Sequence, residues 1–251
     1  MKTEYDSPPN LFVLGCGRSG TSLVAGLLAN AGFWMGDSLL KARDANPMGF
    51  FEDAKVNQIN ERILLSSATG SPQKTKPYLL SPGRNWLARI PINTRLEPHT
   101  DELENIAATT QNGPFCLKDP RFCYTLAAWR QSAGRHKCIC VIRNPASVVT
   151  SILKECQTAK YLQGVALTST DALELWSLMY RHVLLHHSRT GDWLFVSYET
   201  LFVSGTFDRI ENFAEVSINR SLPDMKYQRS KPSITLNRHT KSLYDELMAL
   251  T

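Results

Sequence analysis

The residues with the most obvious chemical capacity lie between Leu11 and Asn30, LFVLGCGRSGTSLVAGLLAN. Gly15, Gly17 and Gly20 fall close together, after one apolar run and before another. Glycines let a backbone approach an anion and take positive φ, and the N–H groups of such a turn and of the helix start behind it point at the anion. Thr21 and Ser22 add hydroxyl donors, and Arg18 adds a permanent positive charge. Strand, glycine turn and helix start together predict a phosphate or sulfate cradle.

Two familiar nucleotide loops fit it imperfectly. In the triphosphate pattern GxxxxGK[ST], Gly15 and Gly20 are correctly spaced, but Thr21 stands where a lysine should neutralise the β and γ phosphates. The dinucleotide pattern GxGxxG is matched by Gly15, Gly17 and Gly20, yet it needs an acid about 20 positions on, at the end of a second strand. Asp37 is near that distance, but GFWMGD makes a poor strand.

A second cationic set follows. Arg143 ends an apolar strand-like run, Pro145 suits a first helical turn, and Ser151 is two turns further up that helix. An arginine and a hydroxyl so placed converge on one dianionic phosphate. Lys118, in Lys118-Asp119-Pro120-Arg121, ends another strand, and Arg18 and Lys118 are the cations expected to meet the charge that grows on a leaving group. For a general base there are three carboxylates: Glu52, Asp37 and, after them, Asp119. Glu52 sits in a loop anchored by Phe50 and Phe51, where apolar neighbours are expected to raise its pKa. The plainer alternative for Glu52 and Asp53 is N-terminal charge on the next helix. His136, His186 and His187 are expected at the surface, and no His, Cys or acid spacing resembles a metal site.

The elements that must position these groups can be read from the periodicity. Strands are expected at Leu11–Leu14, Phe115–Lys118, Lys137–Ile142 and Trp193–Ser197, the third continuous and apolar as a central parallel strand is. Helices are expected after Thr21, over 54–65, from Thr100 as N-cap, from Pro120 to Trp129, from Pro145, over Asp171–His187, and near Thr240. This alternation predicts an α/β fold: a three-layer, doubly wound parallel sheet with a P-loop-like strand–loop–helix. Ligands of such sheets bind beyond the carboxyl ends of the strands, where Gly15, Lys118, Arg143 and Tyr198 all fall. A single domain over 1–251 is expected, with 66–98 as a loop-rich, substrate-side insertion and 222–251 as a tail and helix.

Composition narrows the classes. Hydrophobic content of 43% with 20% charged residues is that of a globular chain. A net charge of +5 suits a small anionic ligand and is too weak and scattered for nucleic acid. No run reaches transmembrane length and the first ten residues hold no apolar signal core, so a cytoplasmic location is expected. The six cysteines, without a CxxC pair, are expected reduced and in the core. Nothing here fixes the oligomeric state.

Gly17-Arg18-Ser19-Gly20-Thr21-Ser22, then Lys118-Asp119-Pro120-Arg121, then Arg143-Asn144-Pro145 with Ser151, then Val196-Ser197-Tyr198-Glu199 resemble, in order, the motifs of the sulfotransferase family. Asn46-Pro47-Met48-Gly49-Phe50-Phe51-Glu52 is similar to its bacterial-type branch. The resemblance implies a donor, 3′-phosphoadenosine 5′-phosphosulfate (PAPS), and no metal. It implies that Gly17 to Ser22 hold the 5′-phosphosulfate, Arg143 and Ser151 the 3′-phosphate, and Tyr198 the adenosine side, with Arg229 or Lys231 closing late in the chain. The acceptor is then a hydroxyl, less readily an amine, of a small molecule, carbohydrate or lipid-linked compound. The competing readings are a P-loop-like kinase, which predicts dependence on ATP and magnesium, and a noncatalytic binder of 3′-phosphoadenosine nucleotides.

Overall fold

The computed structural model describes residues 7–42, 49–67, 79–202, 205–219 and 234–251. Strands β1 (Asn10–Leu14), β2 (Cys116–Lys118), β3 (His136–Ile142) and β4 (Asp192–Ser197) form a parallel sheet in the order β2-β1-β3-β4. Around it lie α1 (Thr21–Asn30), α2 (Ala54–Ser67), α3 (Thr100–Thr110), α4 (Phe122–Arg130), α5 (Pro145–Thr158), α6 (Ser169–His182), α7 (Thr206–Ala214) and α8 (Arg238–Met248). The fold is thus α/β with a parallel sheet, as expected. No helix among the described residues is long and apolar enough to cross a membrane.

Strand alternation divides the core in two. Leu11, Val13, Ile139, Val141, Leu194 and Val196 pack with α1 and α7, through Val24, Leu27, Leu28 and Ile210. Phe12, Leu14, Cys138, Cys140, Ile142 and Phe195 pack on the other face with α2, α4, α5 and α6, through Ile59, Phe122, Trp129, Val149, Trp176 and Tyr180. Both faces are covered, which is why these strands are nearly continuous apolar runs. A one-residue slip of any strand would exchange the two sets, so register is firmly specified. All six cysteines are free, and all but Cys156 are buried.

The chain runs from β1 to β2 on one side and reaches β4 on the other. The order therefore reverses between β1 and β3, and a crevice opens beyond their carboxyl ends. Strands β2 and β3 stop just before residues that cannot continue a ladder. Pro120 and Pro145 lack the N–H a ladder needs. Asn144 caps α5, its side chain accepting from Ala146 N–H at 3.0 Å and Ser147 N–H at 3.3 Å.

Several boundaries depart from the expected ones. His99, not Thr100, caps α3, and Glu102 accepts from its N–H at 2.7 Å. After Pro120 a turn intervenes, and α4 begins at Phe122. The helix expected over Asp171–His187 ends at His182 and continues as a wider π turn, Val183–His187. That turn rotates His187 inward, so it is buried rather than at the surface. Of the irregular segment 66–98, the described part carries one short 3₁₀ turn, Asn85–Leu87.

Candidate active site

Six residues, Gly15 to Gly20, carry the chain from β1 to α1. Gly20 is the N-cap, with φ 92°, and a β-carbon there would lie 2.2 Å from the Tyr198 ring. Glycine is required on both counts. The N–H groups of Thr21 and Ser22 precede any i−4 carbonyl of their own helix, and no acidic residue stands in that first turn. A β-carbon at Gly17 would meet the Trp86 ring at 2.5 Å, so the irregular segment packs directly on the loop. Tyr180 of α6 fixes the loop from behind. Its hydroxyl lies 2.7 Å from the Val141 carbonyl and 3.0 Å from Ser19 Oγ, and it accepts from Cys16 N–H at 3.3 Å.

The loop faces the ends of β3 and β4. Arg143 Nη1 donates to the Arg18 carbonyl at 3.1 Å, and its guanidinium carbon stands 4.5 Å from the centre of the Tyr198 ring. Trp176 Nε1 donates to the Arg143 carbonyl at 3.3 Å and fixes the bend there. Arg18, at φ 72°, sends its side chain across to α5. Its Nε donates to Ser151 Oγ at 3.0 Å, and its Nη1 lies 3.2 Å from Glu155. Glu155 also accepts from the Tyr161 hydroxyl at 2.8 Å.

Towards β2 the groups change character. Lys118 Nζ lies 2.5 Å from Glu52 Oε1, both nearly inaccessible, and Asn57 Nδ2 donates to Glu52 Oε2 at 3.0 Å. Burial pushes the Glu52 carboxyl up, but Lys118, with Arg121 and Asn57 assisting, pulls it below the ordinary carboxylate value. The expectation of a raised pKa is therefore corrected: the ion pair outweighs the apolar neighbours. Behind this pair Arg121 bonds Glu61 and Asp119, and Asn60 donates to Asp119 at 3.0 Å. Burial, the largest influence, raises the Asp119 carboxyl.

One cavity of about 950 Å³ opens among these groups. It brings together Gly17, Arg18, Gly20, Thr21, Ser22, Glu52, Lys118, Arg143, Ser151 and Tyr198, drawn from five separate stretches of sequence. Leu23, Leu27, Phe50, Phe51 and Leu65 give it an apolar wall between α1 and α2. Other candidates lie elsewhere. Asp37 is exposed and accepts from Trp34 Nε1 at 3.1 Å, away from the cavity. Ser19 turns its hydroxyl to Tyr180, and its N–H donates to Cys16 at 3.1 Å. Asp119 is sealed behind Arg121. Arg229 and Lys231 lie outside the described residues, as do Asn46, Pro47 and Met48. Glu155 and Tyr161, which share the cavity wall, carry no signal of their own in the sequence.

The comparisons with known proteins bear on this arrangement. A family model described as "Sulfotransferase family" matches residues 9–219. No curated protein matches the sequence. Among solved structures, the sulfotransferase domain from the Synechococcus PCC 7002 olefin synthase is similar at 16% identity and a TM-score of 0.52, over 99% of this chain and 98% of that one. The sulfotransferase domain from the curacin biosynthetic pathway is similar at 14% identity and a TM-score of 0.57, over 96% and 98%. At these identities the likeness is one of fold.

Proposed function

The chain belongs to the sulfotransferase family, and from that premise we propose that it moves a sulfuryl group from PAPS to a hydroxyl on an acceptor molecule. The observation that carries this reading is the meeting of two distant motifs: Arg143 touches the Arg18 carbonyl at 3.1 Å while Arg18 touches Ser151 at 3.0 Å. Two guanidinium groups and a hydroxyl beside a glycine cradle suit a nucleotide phosphorylated at both ribose positions. Thr21, where a triphosphate loop needs lysine, argues against ATP.

In this reading the donor supplies the sulfuryl group: its sulfur–oxygen bond to the 5′-phosphate breaks as the acceptor oxygen bonds to sulfur, and the acceptor proton leaves. Glu52, held as a carboxylate by Lys118, takes that proton on an Oε atom. Neutralising Glu52 frees the charge on Lys118 Nζ for the departing phosphate oxygen. Proton removal and leaving-group stabilisation are thereby coupled through one ion pair. A fixed donor aimed at such developing charge contributes about 3 kcal/mol to lowering a barrier. The N–H groups of Thr21 and Ser22 hold the phosphate itself. Arg143, Ser151 and Arg18 grip the 3′-phosphate, and Tyr198 orients Arg143 beneath it. The apolar wall of Leu23, Leu27, Phe50, Phe51 and Leu65 receives the acceptor's carbon skeleton, with its hydroxyl directed to Glu52.

A thermal-shift panel followed by a transfer assay tests this. Adenosine 3′,5′-bisphosphate is expected to raise the melting temperature, and ATP with magnesium is not. Equal stabilisation by ATP with magnesium would support a kinase instead. Radiolabelled donor sulfate should then pass to an acceptor or, slowly, to water. Nucleotide binding with no release of labelled sulfate would mark a binder and defeat the enzymatic reading.

A further inference from the structure

Glu155 lies on α5 one turn beyond Ser151 and is 4% exposed. Its Oε1 accepts from Tyr161. Its Oε2 is buried, 3.2 Å from Arg18 Nη1, and makes no hydrogen bond among the described residues. A carboxylate has several lone-pair sites to satisfy, and removing it from water is costly unless it is paired. Here one oxygen is held by charge alone, on the wall of a cavity whose other groups at that end are cations and hydroxyls.

The placement is unexpected for an anion site. Residues four apart on a helix are neighbours, about 6 Å between their β-carbons. A phosphate on Ser151 therefore has a buried carboxylate beside it. Like charges so close, partly shielded from water, oppose each other. The same carboxylate draws the Arg18 guanidinium to α5, into the place where it meets Ser151 Oγ.

We propose that Glu155 is the resident counter-anion of Arg18 and sets the nucleotide affinity of the site. Without nucleotide it neutralises the guanidinium; with nucleotide bound, the 3′-phosphate shares Arg18 with it and is held less tightly than two arginines alone would hold it. This rests on the reading of Arg143 and Ser151 as the 3′-phosphate end. The consequence is kinetic. Donor and desulfated product carry the same 3′-phosphate, so tighter binding there stabilises both and gives nothing to the chemical step. A carboxylate that loosens that grip speeds product departure, a step that often limits turnover.

The test compares wild type, Glu155→Gln and Glu155→Asp. Adenosine 3′,5′-bisphosphate and adenosine 5′-phosphate are titrated by calorimetry, and dissociation of the bisphosphate is followed by stopped flow. Glu155→Gln is expected to bind the bisphosphate on the order of tenfold tighter and release it correspondingly more slowly, with little change for the monophosphate. Glu155→Asp withdraws the carboxylate from Arg18 and should shift affinity the same way by a smaller factor, which covers a failure of the glutamine variant to fold. Unchanged or weaker bisphosphate binding in either folded variant overturns the proposal, leaving Glu155 as a support for Arg18. If wild type itself fails to prefer the bisphosphate, the 3′-phosphate assignment falls and this inference with it.

Discussion

Arg143 and Tyr198 stack, the guanidinium carbon 4.5 Å from the ring centre, and the same ring closes against Gly20. One aromatic side chain thus ties the end of β3 to the start of α1. It also fixes how far the second cationic group stands from the glycine cradle. A cation that lies over the ring and at the same time donates to the Arg18 carbonyl needs a broad, forked head, which lysine does not provide.

Arg143→Ala is therefore expected to remove the preference for adenosine 3′,5′-bisphosphate over adenosine 5′-phosphate. Arg143→Lys should recover little of it. Hydrogen bonds to charged groups contribute about 1.5–3 kcal/mol, so bisphosphate affinity should fall by roughly 10- to 100-fold. Calorimetric titration with both nucleotides measures this directly. Discrimination that survives in the alanine variant would place the 3′-phosphate elsewhere.

The Glu52–Lys118 pair gives a separate expectation. Glu52→Gln should lower turnover by about 10²- to 10⁴-fold, the range of general-base catalysis, while bisphosphate affinity stays within a few-fold. It also leaves the Lys118 ammonium buried without its counter-charge, and breaking such a pair costs about 3–5 kcal/mol. Lower thermal stability in Glu52→Gln, partly restored in Glu52→Gln/Lys118→Met, is the expected pattern. Full activity in a stable Glu52→Gln protein would remove Glu52 from the base role.

Tyr180 supports the loop without lining the cavity. In Tyr180→Phe the Cys16 N–H and the Val141 carbonyl lose a buried partner, at about 1–3 kcal/mol per unsatisfied group. The ring and its packing remain. Chemical denaturation should show that loss in stability, and the released loop should bind nucleotide less tightly. A Tyr180→Phe protein as stable as wild type would mean that the hydroxyl is not what fixes the cradle.

The parts legible in the sequence were those where a local pattern and a chemical need coincide. KCICVI announces a central strand because both of its faces are covered, and Asn144-Pro145 announces a helix start because cap and first turn are each satisfied locally. The convergence of Gly15, Lys118, Arg143 and Tyr198 followed from the rule that such sheets bind ligands at one rim. What stayed hidden depended on distant partners. Glu155 reads as the polar face of an amphipathic helix until Arg18 is brought to it. Tyr180 reads as one more core aromatic, because nothing near it in sequence reveals that its hydroxyl meets the loop. Glu52 has phenylalanines for sequence neighbours, and only the fold supplies the lysine that reverses its pKa. Ser19 and Ser22 look alike in sequence, yet one faces Tyr180 and the other the cavity.

The last expectation concerns two buried histidines, His182 at the end of α6 and His187 at the end of the π turn that follows it. His182 Nε2 donates to the Ile90 carbonyl at 3.0 Å and His187 Nε2 to the Cys123 carbonyl at 3.1 Å. His187 Nδ1 is buried and has no partner among the described residues, so a proton added there meets nothing to balance it. Burial, chiefly, lowers both rings from 6.5 to about 4. Between those values the unfolded chain binds protons that the folded one refuses, so stability is fully present above pH 6.5 and declines as pH falls towards 4. The loss from pH 7 to pH 5 should be on the order of 2 kcal/mol for each histidine. Glu52, whose lowered carboxyl withdraws its contribution only below its unfolded value of about 4.3, does not act in that window. Denaturant melts at pH 5, 6 and 7 should show the slope, and His182→Gln/His187→Gln, though less stable at pH 7, should flatten it. An unchanged slope in the double variant would assign the acid sensitivity to other groups.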